Sequence, residues 1–124
     1  MRRVQSQGTA PEIQVRAILR RLGVRYRICP KNLPGKPDLV IVGQRKAILV
    51  HGCFWHGHHC ELGKLPRSNR PYWKSKQTKN TFRDRRNVRA LRVRGFGVAT
   101  VWECQIRAND RLVVRLARFL RSEL

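Results

Sequence analysis

The stretch HGCFWHGHHC, from His51 to Cys60, concentrates side chains that can do chemistry. Imidazole and thiolate groups are common ligands of zinc, and imidazole also serves as a general base near neutral pH. The Phe-Trp pair in the middle could stack against nucleic-acid bases. The segment is therefore a candidate metal site, catalytic cluster or nucleic-acid wedge, or a combination of these.

A zinc site is the first hypothesis for this segment. Cys53, His58 and Cys60 place three ligand-type side chains in one short loop, and Cys104 is the plausible distant fourth donor. Three cysteines and one histidine are a common closed structural set for zinc. The alternative is a set of buried free cysteines with surface histidines. We interpret Cys29, which stands apart, as a packed thiol.

A second candidate site lies in PGKPD, Pro34 to Asp38. This turn places Asp38 at the mouth of a predicted strand, close to the end of its hairpin partner. Many metal-dependent nucleases hold Mg²⁺ in this way, because hard cations prefer carboxylate oxygens. The alternative is that Asp38 only caps the turn.

Composition indicates a nucleic-acid partner. The chain has 124 residues, which we interpret as one domain over 1–124, with 28 Lys and Arg against 7 Asp and Glu. The resulting formal charge of +21 destabilises the folded chain through repulsion between like charges, and a bound polyanion such as nucleic acid would relieve that repulsion. We find no apolar run of about 18 residues and no signal peptide, which argues against a membrane protein. Cysteines lying among histidines suggest a reducing, intracellular compartment.

The elements that must position these residues follow from the apolar pattern. A capping box of Thr9 and Glu12 starts a helix over 9–22. A strand is predicted over 24–28, and DLVIV with KAILV reads as a hairpin. Residues 61–79 are predicted to be a long loop, followed by a helix from about Thr81 to Arg94. GVATVW is a further strand and an amphipathic helix begins near Asp110. The order α-β-β-β-α-β-α predicts a mixed sheet flanked by helices.

Three motifs together resemble one family. PGKPD, VHGCFWHGHHC and RDRRNVRALRVRGFGVATVWEC occur in the order and spacing of the very-short-patch-repair (Vsr) endonucleases, over about Arg3 to Leu120. The resemblance implies an α/β, restriction-endonuclease-like fold of the PD-(D/E)XK type with a structural zinc site. It also implies a Mg²⁺-dependent enzyme that nicks DNA 5' of the thymine in T·G mismatches. Such mismatches arise by deamination of 5-methylcytosine, and the nick would initiate very-short-patch repair.

The resemblance also implies roles for single residues. Asp38 would bind catalytic Mg²⁺, with the backbone carbonyl of Val50 as a second ligand where related nucleases outside the family usually carry an acid. His56 would activate the attacking water, His51 would be a second active-site histidine, and Glu12 would support this cluster, unless it serves only the capping box. The implied zinc ligands are Cys53, His58, Cys60 and Cys104, and the implied DNA-wedging aromatics are Phe54, Trp55 and Trp73.

Other residues receive a structural interpretation. We expect His59 to be solvent-exposed, Trp102 to pack in the core, and Asp84 to pair with neighbouring arginines. Residues 1–8 are interpreted as a residual N-terminal arm, shorter than the basic arm usual in the family, from which we expect weaker DNA contact.

The implied partner is double-stranded DNA with a T·G mismatch, and mismatch-repair proteins are candidate partners. We expect a monomer in the prokaryotic cytoplasm, associated with the nucleoid. Two alternatives stay open. A non-catalytic basic zinc module would explain the charge but not Asp38, His51 and His56. A restriction enzyme of the same fold would cut both strands of matched DNA.

Overall fold

The computed structural model describes residues 10–122, so Thr9 of the predicted capping box and the arm at 1–8 lie outside the described residues. The element order agrees with the predicted one, with two short 3-10 helices added. The helices are α1 (Ala10–Arg21), α2 (Arg70–Val93) and α3 (Asn109–Arg121), the strands are β1 (Tyr26–Ile28), β2 (Leu39–Ile41), β3 (Lys46–His51) and β4 (Gly97–Trp102), and the 3-10 helices are Glu61–Gly63 and Glu103–Ala108.

The four strands form one mixed sheet in the order β1-β2-β3-β4. The predicted hairpin is present, because β2 pairs antiparallel to β3, with Leu39 opposite Ile48. β4 runs parallel to β3, with His51 opposite Trp102, and α2 makes the crossover between them. The predicted fold class, a restriction-endonuclease-like mixed sheet with flanking helices, is confirmed.

Side chains alternate along β3 and so divide the core into two layers. Ile48 belongs to the larger cluster, in which the sheet packs against α1 and α3. Ala47 and Leu49 face the opposite way and pack with Leu91 of α2. Continuing this alternation by one step places His51 on the α2 side of the sheet.

The prediction of a long loop over 61–79, with a helix only from Thr81, is wrong. α2 begins at Arg70 and runs for 24 residues. The buried residues of this helix are Gln77 and Leu91, so its first half lacks the apolar repeat from which a helix is recognised. Gln77 instead donates hydrogen bonds to the carbonyls of Phe54 (2.6 Å) and Gly63 (3.2 Å). None of the described helices combines the length and apolar character needed to cross a membrane.

Candidate active site and metal centre

Asp38 lies where β2 begins and β3 ends. Its backbone N–H donates to the Ile48 carbonyl (3.1 Å), and its Oδ2 accepts a hydrogen bond from the Val50 N–H (2.7 Å). Burial raises the pKa of the Asp38 carboxyl to about 6, and the nearby Glu12 adds to this, although the Val50 hydrogen bond opposes it. The charged carboxylate is therefore costly here unless a cation lies against it.

Two histidines and one aspartate form a second group beside Asp38. The rings of His51 and His56 stack with centroids 4.0 Å apart and an interplanar angle of 3°. Asp84 Oδ2 lies 2.5 Å from His56 Nδ1, and Asp84 Oδ1 lies 3.8 Å from His51 Nε2. A proton on Nδ1, held by Asp84, leaves His56 Nε2 as an acceptor. This is the arrangement of a general base with its orienting carboxylate.

The interpretation of Asp84 as a partner of neighbouring arginines is wrong, because its carboxylate contacts the two histidines. One signal in the sequence could have located it. Gln77, Thr81 and Asp84 recur at helical spacing in an otherwise basic segment, so they lie on one face of α2.

His51 is a buried imidazole. Burial, with a contribution from His56, lowers the pKa of His51 to about 4, and Asp84 only partly offsets this. Its Nδ1 atom is buried and has no hydrogen-bond partner within residues 10–122. His51 is therefore neutral at physiological pH and can accept or donate a hydrogen bond without becoming charged.

A cavity of about 630 Å³ brings the predicted catalytic residues together. Glu12 forms part of its wall, is 4 % exposed, and pairs with Arg16 one helical turn further on (3.3 Å). The chemistry that such a wall permits is binding of a hard cation and proton transfer from water. The predicted residues that line the cavity are Glu12, Asp38, Val50, His51 and His56, and Asp84 joins them.

The four predicted zinc ligands also meet. The ligand atoms of Cys53, His58, Cys60 and Cys104 all lie within 4.8 Å of one another. The cysteines are free thiols, and the Cys104 N–H donates to Cys53 Sγ (3.3 Å), as backbone amides do toward thiolates. Burial raises the pKa of the Cys53 thiol to about 12, so a thiolate there needs a cation. The donor set fits a soft divalent metal such as zinc.

Trp102 contacts both candidate sites, so the prediction that it packs in the core is wrong. It is half-buried, and its ring stacks on His58 with centroids 4.2 Å apart. The Trp102 and His51 rings also meet edge to face, with centroids 5.1 Å apart. A shift of the loop that carries the candidate metal ligands would therefore be transmitted to His51. His59 is exposed, as expected.

The three aromatics predicted to wedge into DNA form one cluster. Phe54, Trp55 and Trp73 meet edge to face, with ring centroids 5.2 to 5.8 Å apart. Trp73 comes from the first turn of α2, and Trp55 also lines the active-site cavity. All three are partly exposed, so an apolar surface adjoins the candidate catalytic groups.

Comparison with known proteins gives a consistent result. A family profile described as "DNA mismatch endonuclease Vsr" matches residues 1–62. The chain is 44 % identical over 120 residues to the type II nicking enzyme V.XorIIP of Xanthomonas oryzae pv. oryzae, covering 97 % of this chain and 88 % of that relative. It is 40 % identical over 112 residues to the DNA mismatch endonuclease Vsr of Escherichia coli, covering 90 % and 72 %. The chain therefore belongs to the family of Vsr DNA mismatch endonucleases.

Proposed function

We propose that this protein nicks one strand of duplex DNA 5' of the thymine in a T·G mismatch, in a Mg²⁺-dependent reaction that initiates very-short-patch repair. The observation that carries the proposal is the meeting of Asp38 with the His56–Asp84 pair in one cavity, beside a partly exposed aromatic cluster. The names of the relatives, nicking enzymes and a mismatch endonuclease, support nicking of mismatched DNA. A basic zinc module without catalysis would have no use for these groups.

Asp38 and the Val50 backbone carbonyl would hold the magnesium ion. When bound, Mg²⁺ supplies positive charge that stabilises the negative charge developing on the phosphate. The site fits such an ion, because the Asp38 carboxylate is partly buried beside Glu12 and carries a raised pKa that a cation would lower. Glu12 contributes further negative charge nearby.

His56 would act as the general base. Its Nε2 would accept a proton from the attacking water, while Asp84 holds the ring and stabilises the imidazolium that forms. His51 stacks on this ring and remains neutral, so it supports His56 without adding charge. The water oxygen would form a bond to phosphorus as the bond from phosphorus to the leaving sugar oxygen breaks, and that oxygen would take up a proton from solvent.

Removing the base is expected to slow the chemical step. His56→Ala should lower the single-turnover nicking rate by roughly 10²–10⁴-fold, the usual contribution of a general base. Asp84→Asn should also lower the rate, because an amide cannot stabilise the imidazolium. His59→Ala, at an exposed histidine three residues away, is the matched control. A His56→Ala protein that nicks at the wild-type rate would assign the base to another group.

The aromatic cluster is expected to confer mismatch selectivity. Wedging an apolar ring into a base step costs a few kcal/mol, and least beside a weakened pair. Trp55→Ala should therefore reduce the preference for T·G over T·A duplex more than it reduces total binding. Equal losses on both duplexes would make Trp55 a structural residue. Phe82→Ala, at an aromatic 69 % exposed on α2, serves as the control.

A nicking assay over duplexes tests the proposal as a whole. We expect single-strand cleavage of T·G duplex in the presence of Mg²⁺, and little cleavage of matched T·A or C·G duplex. Cleavage of both strands of matched DNA would identify a restriction enzyme instead. Binding without cleavage of any duplex would favour the non-catalytic zinc module.

A further inference from the structure

The segment Pro34–Asp38 is held firmly between α2 and the sheet. Gly35 lies so close to α2 that a Cβ atom there would come within 2.5 Å of the Asn87 carbonyl oxygen. Pro37 is among the fully buried residues, and the Asp38 carbonyl accepts a hydrogen bond from the Cys29 N–H at 2.8 Å. The backbone at position 36 is therefore fixed from both sides.

Lys36 adopts an unusual backbone conformation in this segment. Its φ is +46°, in the left-handed region that glycine and asparagine occupy far more readily than lysine. Its side chain is exposed and forms no salt bridge within residues 10–122. The fold thus gains little from a lysine side chain at a position where it is strained. Such residues are typical of functional sites.

Lys36 also lies in the most acidic surroundings of a very basic protein. Four of the seven carboxylates of the chain line the active-site cavity, and the cations of that wall are Lys36 and Arg83. A DNA phosphate entering the cavity would be repelled by these acids. The lining acids are Glu12, Asp38, Asp84 and Glu103.

We propose that Lys36 is a substrate-contacting residue, whose ammonium binds a phosphate of the nicked strand as that strand enters the acidic cavity. The inference deepens the proposed endonuclease function and rests on it. The rigid turn aims the side chain, so the phosphate is positioned as well as attracted. An ammonium suits this task because it is a compact charge that meets a phosphate from any direction.

The test compares variants that separate the charge from the backbone strain. Lys36→Asn removes the charge but tolerates the left-handed conformation, and Lys36→Arg keeps the charge. Lys31→Asn removes the same charge from an exposed position in the same connection that does not line the cavity. Single-turnover nicking is measured at saturating T·G duplex, and Tm is measured for each protein.

We expect Lys36→Asn to nick about 10–100-fold more slowly, with Tm unchanged or raised by a few degrees. The nicking rate of Lys36→Arg should stay within a few-fold of the wild-type rate. The rate of Lys31→Asn should stay within about twofold, because at saturating duplex a weaker general attraction to DNA no longer affects the rate. Replacing single phosphates near the cut site by uncharged methylphosphonate linkages should locate the contact. At one position, the wild-type protein and Lys36→Asn should nick the modified duplex at the same rate.

Two results would overturn the inference while leaving the proposed function intact. In the first, the wild-type protein nicks T·G duplex and Lys36→Asn nicks it at the wild-type rate. In the second, Lys36→Asn and Lys36→Arg lose rate equally, which would make the turn rather than the charge responsible. If the wild-type protein fails to nick T·G duplex in the same assay, the proposed function falls and the inference falls with it.

Discussion

Asp38→Asn is expected to abolish Mg²⁺-dependent nicking while making the metal-free protein more stable at neutral pH. Loss of the metal removes several kcal/mol of transition-state stabilisation, which corresponds to a rate loss of about 10³-fold or more. The stability gain follows from the raised pKa of Asp38, about 6 in the folded protein, which reflects burial of a charge. An asparagine can still accept the Val50 hydrogen bond without that charge.

The sign of the pH dependence follows from the same shift. The folded state holds the Asp38 proton more tightly than the unfolded chain does, where the pKa is near 3.9. Proton binding at Asp38 therefore contributes to the stability of the fold, and this contribution is fully present below about pH 4. This contribution is lost as pH rises through 6, and amounts to up to about 3 kcal/mol. His51 acts in the opposite direction, since its lowered pKa destabilises the fold as pH falls below about 6.5.

The difference between wild type and Asp38→Asn therefore isolates the carboxylate. Denaturant unfolding should be measured in magnesium-free buffer that retains zinc, from pH 4 to pH 8. We expect the two stability curves to lie closest together near pH 4 and to diverge between about pH 4 and pH 6, with the variant more stable at pH 7. Added Mg²⁺ should stabilise only the wild type. Asp110→Asn, at an exposed carboxylate on α3, controls for surface charge. A variant that is less stable than wild type at pH 7 would contradict the account.

The sheet and the first and last helices were predictable because each buries a regular apolar pattern. β2 and β3 alternate between two packed layers, and α1 and α3 each bury one apolar stripe. The hairpin placed Asp38 beside the end of β3, so the neighbourhood of the Mg²⁺ candidate followed from local pattern alone. The cysteine and histidine types likewise indicated the metal cluster before any geometry was known.

The first half of α2 and the role of Asp84 were not predictable in the same way. The face of α2 that meets the loop is polar and contacts it through hydrogen bonds from side-chain amides. For example, the Asn80 side chain donates a hydrogen bond to the Trp55 carbonyl (2.7 Å). Hydrophobic periodicity cannot detect a helix that docks through hydrogen bonds. The contact of Asp84 with His56, 28 residues earlier in the chain, depends on this docking and so cannot be predicted from local sequence. Trp102 was misjudged because its strand is apolar, although its last position reaches the metal loop.

Cys104→Ser is expected to remove the metal and, with it, both nicking and much of the cooperative fold. The loop between β3 and α2 contains only the short 3-10 helix Glu61–Gly63, so little regular backbone hydrogen bonding holds it. Structural zinc sites in small domains bind with about 10–16 kcal/mol, comparable to the whole stability of a domain of about 5–15 kcal/mol. Loss of one thiolate also leaves the buried Cys53 without the cation that its thiolate requires.

The consequence reaches the active site through Trp102 and the loop itself. Trp102 stacks on His58 and meets His51, and His56 lies between the candidate ligands Cys53 and His58 in the chain. Elemental analysis of purified wild type should give one zinc per chain, and Cys104→Ser should give much less, with a lower Tm. Cys29→Ser, the same substitution at the thiol outside the cluster, should keep both zinc and nicking. Wild-type protein without metal would mean that the cluster is a set of packed thiols. A Cys104→Ser protein with wild-type Tm and nicking rate would mean the same, and the contacts of the loop with α2, such as those of Gln77 and Asn80, would then suffice to hold it.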